Sequence, residues 1–352
     1  MSAVLEKTML QYFPTYGATG NLTHARGVEF LQVCAVIMYL SPPLTQMSNL
    51  ILHVCTIHAN RILSQLIAQL FNHFPVLEPY YGDFEKSFDP MPVLTAMREN
   101  EYIIPVTCVV VYMLFCFFGQ KVMANFKAFD LIGPLAAWNL FLSLFSFYGA
   151  VRTVPHMIFR IVNEPFVETV CAPCYVAYGN GAAGLATQLF ILSKIPELVD
   201  TLFIVLRKKP LIFLHWYHHV TVLLYCWNAY VTESAAGLYF VSMNYTVHAV
   251  MYFYYFLQAM RIMPKWFPSW IITLLQISQM IIGTFIVGAS FYFHYYGGGN
   301  YAPSACNNTP SNLAAGGIIY ASYLYLFVEF AVKRFIFGVK DAPRKKKDVK
   351  TN

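Results

Sequence analysis

Long apolar segments recur along this chain and constrain its fold more than any other feature. The chain has 352 residues, of which 58% are hydrophobic and only 11% are charged, whereas soluble domains carry about 25% charged residues. Each apolar segment is close to the roughly 20 residues that a helix needs to cross a bilayer. The sequence therefore predicts an all-α polytopic membrane protein with seven transmembrane helices, at residues 102–119, 131–150, 182–206, 210–230, 237–260, 268–293 and 314–337.

Basic residues between these segments predict how the chain is oriented. They concentrate in every second joint, beginning after the first predicted helix, and in the C-terminal tail. They are Lys121, Lys127, Arg207, Lys208, Lys209, Arg261, Lys265, Lys340, Arg344, Lys345, Lys346 and Lys347. The alternate joints are poor in base, although Arg152, His156 and Arg160 fall in the one after the second predicted helix. Because lysine and arginine favour cytoplasmic loops, the basic joints and the tail are predicted to face the cytosol.

The region before the first predicted helix is harder to assign. Segment 28–56 is apolar, but Pro42, Pro43 and His53 interrupt it. An additional membrane span is therefore an open alternative there, and residues 1–82 form an N-terminal extension of unknown role.

Three histidines lie within five residues of the fourth predicted helix, in the sequence His215-Trp-Tyr-His218-His219. Positions i, i+3 and i+4 share one face of a helix. Ionisable residues are costly in a membrane and usually face a polar interior, which makes them functional candidates. The fifth predicted helix carries a second polar stripe at helical spacing, formed by Asn244, His248, Tyr252 and Tyr255.

The third predicted helix also carries charged residues where a membrane disfavours them. Lys194, Glu197 and Asp200 are three residues apart and follow one face, with Thr201 beside them. Pro196 removes a backbone hydrogen bond and is predicted to kink this helix. A site that binds substrate is one interpretation, and a buried ion pair that locks helices together is the other.

Helix geometry predicts that these groups lie at overlapping depths. At a rise of about 1.5 Å per residue, His215 to His219 lie roughly 8–14 Å from the cytosolic end of their helix, and His248 about 18 Å from the end of its own. Gln276 and Gln279 lie in the cytosolic half of the sixth predicted helix, although alone they would only hold helices together. The sequence therefore predicts one enclosed site, reached from the cytosol.

Two kinds of chemistry suit histidines in such a site. Membrane di-iron enzymes need imidazoles from several histidine boxes, but only four of the ten histidines lie at this depth, so no metal is predicted. The other kind is metal-free catalysis, in which imidazole acts as nucleophile or general base. Acyl transfer from a thioester suits a cytosol-facing site with an apolar interior. Basic residues at its rim, Lys208, Lys209 and Lys265, could attract the phosphates of coenzyme A, or serve only as topology signals.

Four motifs in this order resemble the signatures of the ELO family of very-long-chain fatty acid elongases. They are Lys194-Ile-Pro-Glu-Leu-Val-Asp-Thr201, His215-Trp-Tyr-His-His219, Asn244-Tyr-Thr-Val-His248-Ala-Val-Met-Tyr252 and Thr273-Leu-Leu-Gln276-Ile-Ser-Gln279. The resemblance covers residues 83–338, which implies an elongase membrane domain followed by a basic cytosolic tail at 339–352. A seven-helix receptor or transporter is the non-enzyme alternative, but no inverted repeat supports it.

The resemblance implies a reaction and a setting. An acyl-CoA condenses with malonyl-CoA to give a 3-ketoacyl-CoA, carbon dioxide and coenzyme A, the first step of elongation in the endoplasmic reticulum. Six of the seven helices would enclose a tunnel for the acyl chain, with no metal or prosthetic group. The partners would be the two thioesters, the lipid bilayer and the reductases and dehydratase of the cycle, but no nucleic acid, and a homodimer is left open.

The residues around the motifs resemble most the branch that extends saturated and monounsaturated chains such as palmitate, and the polyunsaturated branch is the alternative. The catalytic candidates are His218 as nucleophile, His248 and Asn244 to complete the site, and His215 and His219 in support. A one-step condensation with His218 or His219 as base stays open. The substrate-binding candidates are Lys194, Glu197, Asp200, Thr201, Tyr252, Gln276, Gln279, Lys208, Lys209 and Lys265.

Three cysteines fall in joints on the predicted lumenal side, where disulfides form. Cys306 lies in the last lumenal joint, and Cys171 and Cys174 lie in the joint after the second predicted helix. We expect a bridge from Cys306 to one of these two, with Cys171 favoured.

Overall fold

The computed structural model of the protein describes residues 69–264 and 266–338, and this part is helical apart from one isolated bridge between Gly298 and Tyr301. The longer helices are α1 (Met91–Glu99), α2 (Ile103–Met123), α3 (Ile132–Asn163), α4 (Gly181–Ser193), α5 (Val199–Leu206), α6 (Phe213–Val231), α7 (Gly237–Ala259), α8 (Trp270–Tyr296) and α9 (Pro310–Ala331). The shorter elements are Leu70–His73, Pro75–Tyr80, Asp83–Lys86, Phe166–Cys171, Cys174–Ala177, Pro196–Leu198 and Val332–Ile336.

Four helices in the described residues are long and apolar enough to cross a membrane. They are Ile103–Met123, Ile132–Asn163, Trp270–Tyr296 and the continuous stretch Pro310–Ile336. The prediction of an all-α fold is thereby confirmed for the described residues, and four of the predicted membrane spans are supported by helix length and composition. The helices α6 and α7 have 19 and 23 residues, but their histidine, asparagine and tyrosine side chains make them less apolar.

The third predicted span is not one helix. Helix α4 ends at Ser193, a 3-10 turn covers Pro196–Leu198, and α5 begins at Val199. Because proline lacks an N–H and clashes with the preceding turn, a kink was expected; the helix is interrupted instead. The break places Glu197 in the short turn between two helical segments.

The second predicted span is longer than 131–150, because α3 continues to Asn163. Arg152, His156 and Arg160 therefore lie on a helix and not in a loop. Each finds a partner there: Arg152 pairs with Glu85 at 2.8 Å, Arg160 with Glu164 at 2.6 Å, and the His156 ring hydrogen-bonds to the carbonyl of Ala177 at 2.8 Å. These contacts satisfy the polar side chains, so they need not end the helix.

Helices α3 and α7 form the central antiparallel pair. The Ser143 hydroxyl donates to the carbonyl of Ala249 at 2.8 Å, and the ring of Tyr245 lies against Gly149. The Tyr245 hydroxyl continues to the carbonyl of Ala186 in α4 at 2.8 Å. A fully buried tyrosine thus joins three helices, and its hydroxyl is paired as burial requires.

Residues before α2 pack on this bundle. The Glu85 carboxylate accepts hydrogen bonds from Arg152, from the Tyr148 hydroxyl at 2.6 Å and from the Gly82 N–H at 2.8 Å. Burial alone would raise the pKa of Glu85, but these hydrogen bonds outweigh it and hold the pKa below its usual value. His73, within the expected N-terminal extension, stacks on Phe159 of α3 with ring centroids 4.4 Å apart.

A disulfide joins Cys171 to Cys306, across 135 residues of sequence. This is the pairing that the sequence favoured, and Cys174 is buried in the next short helix. The amides of Asn307 and Asn308 donate to the carbonyls of Cys171 and Val170, at 2.9 and 3.0 Å. The bridge and these hydrogen bonds tie the segment before α9 to the short helix that follows α3.

Candidate active site

Residues from α3 and from α5 to α9 line a cavity of about 540 Å³. Most of the predicted site residues reach it. Those that line it are Glu197, Asp200, Lys209, His215, His218, His219, Asn244, His248, Tyr252, Gln276 and Gln279. All four motifs therefore meet around one cavity, one from the broken helix and one each from α6, α7 and α8.

The three neighbouring histidines have different surroundings. The His215 ring hydrogen-bonds through Nε2 to the Thr201 hydroxyl at 2.9 Å, and His219 is buried with its ring 6.0 Å from that of Tyr112. Within residues 69–264 and 266–338, the ring nitrogens of His218 and His219 have no protein hydrogen-bond partner, but His218 is the less buried of the two. The Tyr323 ring packs 5.1 Å from the His218 ring and its hydroxyl donates to the His218 carbonyl. The imidazole of His218 is thus held by packing while its nitrogens stay available.

A buried polar chain leads to His248. The Lys194 ammonium donates to both oxygens of Glu197, at 2.7 and 3.0 Å, and lies 3.5 Å from Asn244 Oδ1. Because an ammonium only donates, Asn244 turns its oxygen to Lys194 and its NH₂ group to His248 Nε2, 3.2 Å away. His248 Nε2 therefore accepts, which places the proton of a neutral His248 ring on Nδ1.

Asp200 is held between two aromatic donors. The Trp138 indole N–H donates to one carboxylate oxygen and the Tyr252 hydroxyl to the other, both at 2.7 Å. The Tyr252 ring in turn packs edge-on to the ring of His248, at 5.3 Å. Asp200 thus fixes the side chains that form one wall of the cavity beside His248.

The basic residues after α5 differ in position. Lys194 contacts Asn244 and Asp200 contacts Tyr252, so Arg207 and Lys209, which follow them and line the cavity, lie at the end away from Asn244, and we call this end the mouth. Lys208 has φ of 54° and its ammonium donates to the carbonyl of Ala124 at 3.4 Å, so it lies outside the lining. Lys265 falls outside the described residues.

Two further predicted residues lie behind the cavity wall. Lys194 is 2% exposed and is committed to Glu197, while Thr201 is fully buried between His215 and the Tyr112 hydroxyl. Of the glutamines, Gln276 donates to the sulfur of Met251 at 3.2 Å, whereas Gln279 has no protein hydrogen-bond partner in the described part of the chain.

Sequence reasoning missed several residues of the site, namely Tyr112, Trp138, Asn139, Tyr323, Phe327 and Phe330. They come from α2, α3 and α9, which carry none of the four motifs. Of these, Asn139 offered a signal, because a lone amide in an apolar membrane helix is itself unusual.

The site can support acyl transfer. It combines an available imidazole, a second imidazole with a defined acceptor nitrogen, and a basic mouth. In the described residues, no group of three or more His, Cys, Asp or Glu side chains has a metal-binding arrangement.

Comparison with known proteins gives one family. Residues 97–347 match the model of the ELO family, described as GNS1/SUR4. The chain is 43% identical over 258 residues to very long chain fatty acid elongase 6 of Drosophila melanogaster, which covers 73% of this chain and 79% of the relative. It is 40% identical to putative fatty acid elongase 3 of Caenorhabditis elegans (76% and 81% covered) and 38% identical to very long chain fatty acid elongase 6 of Homo sapiens (72% and 92%). With its motifs gathered around one cavity and this similarity over most of its length, the chain belongs to the ELO family.

Proposed function

We propose that this protein is the condensing enzyme of fatty acid elongation. It joins a long-chain acyl-CoA to malonyl-CoA and releases a 3-ketoacyl-CoA, carbon dioxide and coenzyme A. The names of its relatives support the acyl substrate. The observation that carries the mechanism is the His218 imidazole, which lines the cavity with His248, is less buried than His219 and has no ring hydrogen bond within the described residues.

In the first step, an unprotonated nitrogen of His218 attacks the thioester carbonyl. The new C–N bond forms as the C–S bond breaks, the proton on the other ring nitrogen of His218 passes to the sulfur, coenzyme A leaves as the thiol, and a neutral acyl-imidazole remains. Asn244 engages Nε2 of His248, so His248 acts through its Nδ1–H, as a donor to the reacting groups. Gln279 offers a free amide donor for the oxygen that becomes negative.

In the second step, malonyl-CoA loses carbon dioxide and the electron pair of the broken C–C bond forms an enolate. The enolate carbon attacks the acyl carbon, the bond to His218 breaks, and the released ring nitrogen takes up a proton from water, which restores the neutral imidazole. A one-step condensation, with His218 or His219 as a base, is the competing mechanism. It differs in forming no acyl-protein adduct.

We further propose seven membrane spans, with α4 and α5 together forming the third. Six of them, from the second to the seventh, would surround the acyl tunnel; residues of α3 and α5 to α9 line the present cavity, which supports this. The basic mouth at Arg207 and Lys209 would face the cytosol from the endoplasmic reticulum membrane. No metal or prosthetic group takes part.

The covalent mechanism is tested by intact-mass analysis after incubation with palmitoyl-CoA alone. We expect one acyl group on wild type and on Cys226→Ser, which removes the free cysteine two turns beyond His218 on α6, and none on His218→Ala. His218→Ala and His248→Ala should each lower condensation by about 1,000-fold or more while the unfolding temperature in detergent stays near that of wild type. An active wild type without adduct would instead support the one-step mechanism.

The substrate branch is a separate question. We propose saturated and monounsaturated chains, with palmitoyl-CoA as the reference. A panel of acyl-CoAs that differ in length and unsaturation, assayed with labelled malonyl-CoA, measures the preference directly. A higher kcat/KM for polyunsaturated chains would overturn this assignment without affecting the reaction itself.

A further inference from the structure

Asn139 is a buried amide that none of the site's hydrogen bonds explains. It lies on α3, lines the cavity and is 5% exposed. Within residues 69–264 and 266–338, its carboxamide has no hydrogen-bond partner. Because buried polar side chains are almost always paired and an unpaired one destabilises the fold, this amide is expected to meet a partner when the cavity is filled.

The depth of Asn139 follows from the antiparallel pairing of α3 and α7. Ser143 contacts Ala249, which is next to His248. Asn139 precedes Ser143 by four residues, so it lies about 6 Å farther along the helix axis. On α7 this direction leads from His248 past Tyr252 to Gln258, which lines the cavity with Arg207 and Lys209. Asn139 therefore lies one helical turn from His248, on the side of the mouth.

Several neighbouring polar groups are already engaged, whereas within the described residues the Tyr255 hydroxyl and the deeper Gln279 amide of the lining are not. Both oxygens of Asp200 accept hydrogen bonds, from Trp138 and Tyr252, and Gln276 donates to Met251. The cations that line the cavity, Arg207 and Lys209, lie at the mouth. Asn139 adds to this part of the cavity a neutral group with both an acceptor oxygen and an NH₂ donor, which a hydroxyl does not offer in the same fixed pair. Such a group matches another amide, which offers both an N–H and a carbonyl, better than it matches a carboxylate.

We propose that Asn139 binds the carrier arm of the thioester substrates, by pairing with the pantetheine amide nearest the sulfur. This inference rests on the proposed function. In a CoA thioester, that amide nitrogen is three bonds from the sulfur, so with the thioester at His218 and His248 the amide lies toward the mouth, at the level of Asn139. Acyl-CoA and malonyl-CoA share this arm, so Asn139 serves both half-reactions.

The test uses CoA thioesters in which this one amide N–H is replaced by an ester oxygen. The change removes a donor and keeps the length and the carbonyl. In wild type, we expect kcat/KM to fall by about 10-fold or more for both palmitoyl and malonyl analogues, since a lone pair then faces Asn139 Oδ1. Analogues altered at the second, more distant amide should lose less.

The matching variant is Asn139→Leu, which removes the pairing group at similar volume. Its kcat/KM for the natural thioesters should be lower than that of wild type. Replacing the amide N–H by an ester oxygen should lower it no further, so the effects of the substitution and of the altered substrate are not additive. Asn163→Leu, at the exposed end of the same helix, is the control and should keep the full wild-type sensitivity. If Asn139→Leu unfolds at a lower temperature than wild type, Asn139→Ala replaces it.

Two results would overturn the proposal. One is an equal kcat/KM of wild type for the natural and the ester-containing thioesters. The other is an Asn139 variant whose kcat/KM falls as much as that of wild type when the amide is replaced by the ester. Binding of free coenzyme A and of its ester analogue, measured by calorimetry, repeats the comparison without turnover. This binding comparison therefore tests Asn139 even if wild type forms no 3-ketoacyl product. A lack of product would contradict the proposed function, not the role of Asn139.

Discussion

The motif from Lys194 to Thr201 contains side chains with separate tasks. Lys194 and Glu197 neutralise each other and hold Asn244, which orients His248. Asp200 holds Trp138 and Tyr252. Since their polar atoms already have partners, a direct role in binding substrate competes with these contacts. We therefore favour a positioning role for Lys194 and Asp200, and cavity-facing Glu197 links the motif to the reaction centre.

Removing the charge of Glu197 tests the buried pair. Glu197→Gln leaves the Lys194 ammonium buried without its counter-charge, and breaking a buried ion pair in this way costs about 3–5 kcal/mol. We expect a clear fall in the unfolding temperature in detergent and loss of condensation. Glu329→Gln removes a similar Lys–Glu pair at the exposed positions Glu329 and Lys333 and should leave both unchanged. Equal effects of the two substitutions would contradict the assignment.

Close contacts between helices form at glycines, where a large side chain of the neighbouring helix packs against the backbone. Tyr245 of α7 lies against α3 where Gly149 has no side chain, and Tyr320 of α9 does the same at Gly283 of α8. A Cβ on Gly149 would lie 2.2 Å from the Tyr245 ring, and one on Gly283 would lie 2.1 Å from the Tyr320 ring. Small residues let membrane helices approach closely, because packing, not the hydrophobic effect, drives their association.

Gly149→Ala is expected to separate α3 from α7. Alanine favours a helix over glycine by up to about 1 kcal/mol, but here its methyl group displaces a fully buried ring, so stability should fall. Gly288→Ala, at an open position of α8 with no neighbour within 4 Å, is the matched control and should keep or raise the unfolding temperature. A more stable Gly149→Ala variant would show that Tyr245 can move away without cost.

Two contacts distant in sequence tie the C-terminal half of α3 and the segment after it to the rest of the described chain. Glu85 joins the N-terminal segment to Arg152. Beyond the C-terminal end of α3, the Cys171–Cys306 bridge closes a loop of 135 residues that includes every motif of the site. Such a cross-link restricts the unfolded chain more than the folded one, and the effect grows with loop length.

Loss of this bridge is expected to lower stability by about 2–5 kcal/mol. Cys306→Ser should therefore lower the unfolding temperature, whereas Cys108→Ser, which changes a cysteine outside any disulfide, should not. A non-reducing peptide map of the wild type should contain the linked peptides of Cys171 and Cys306. Recovery of both as free thiols would refute the pairing.

The sequence predicted where most helices and all four motifs lie. It did not predict where each helix ends or which side chains pack around the motifs. The i, i+3, i+4 spacing identified His215, His218 and His219, because helix periodicity is a local property. It could not show that α3 continues past Arg152, since that depends on Glu85, 67 residues away. It also could not separate Lys208 from Lys209, because the positive φ of Lys208 turns the two in different directions.

The sequence by itself determined the class of fold and the family, because apolar length predicts membrane helices and the four motifs are typical of one family; imidazoles among the apolar helices favoured the proposed chemistry. The tertiary structure alone decided which histidine nitrogens are occupied and which are available, and that Asn139 faces the cavity with no hydrogen-bond partner among the described residues. The physical reason is that hydrogen bonding and burial arise between helices. A side chain's chemical type is written in the chain, but whether its polar atoms are satisfied depends on neighbours that only packing brings near.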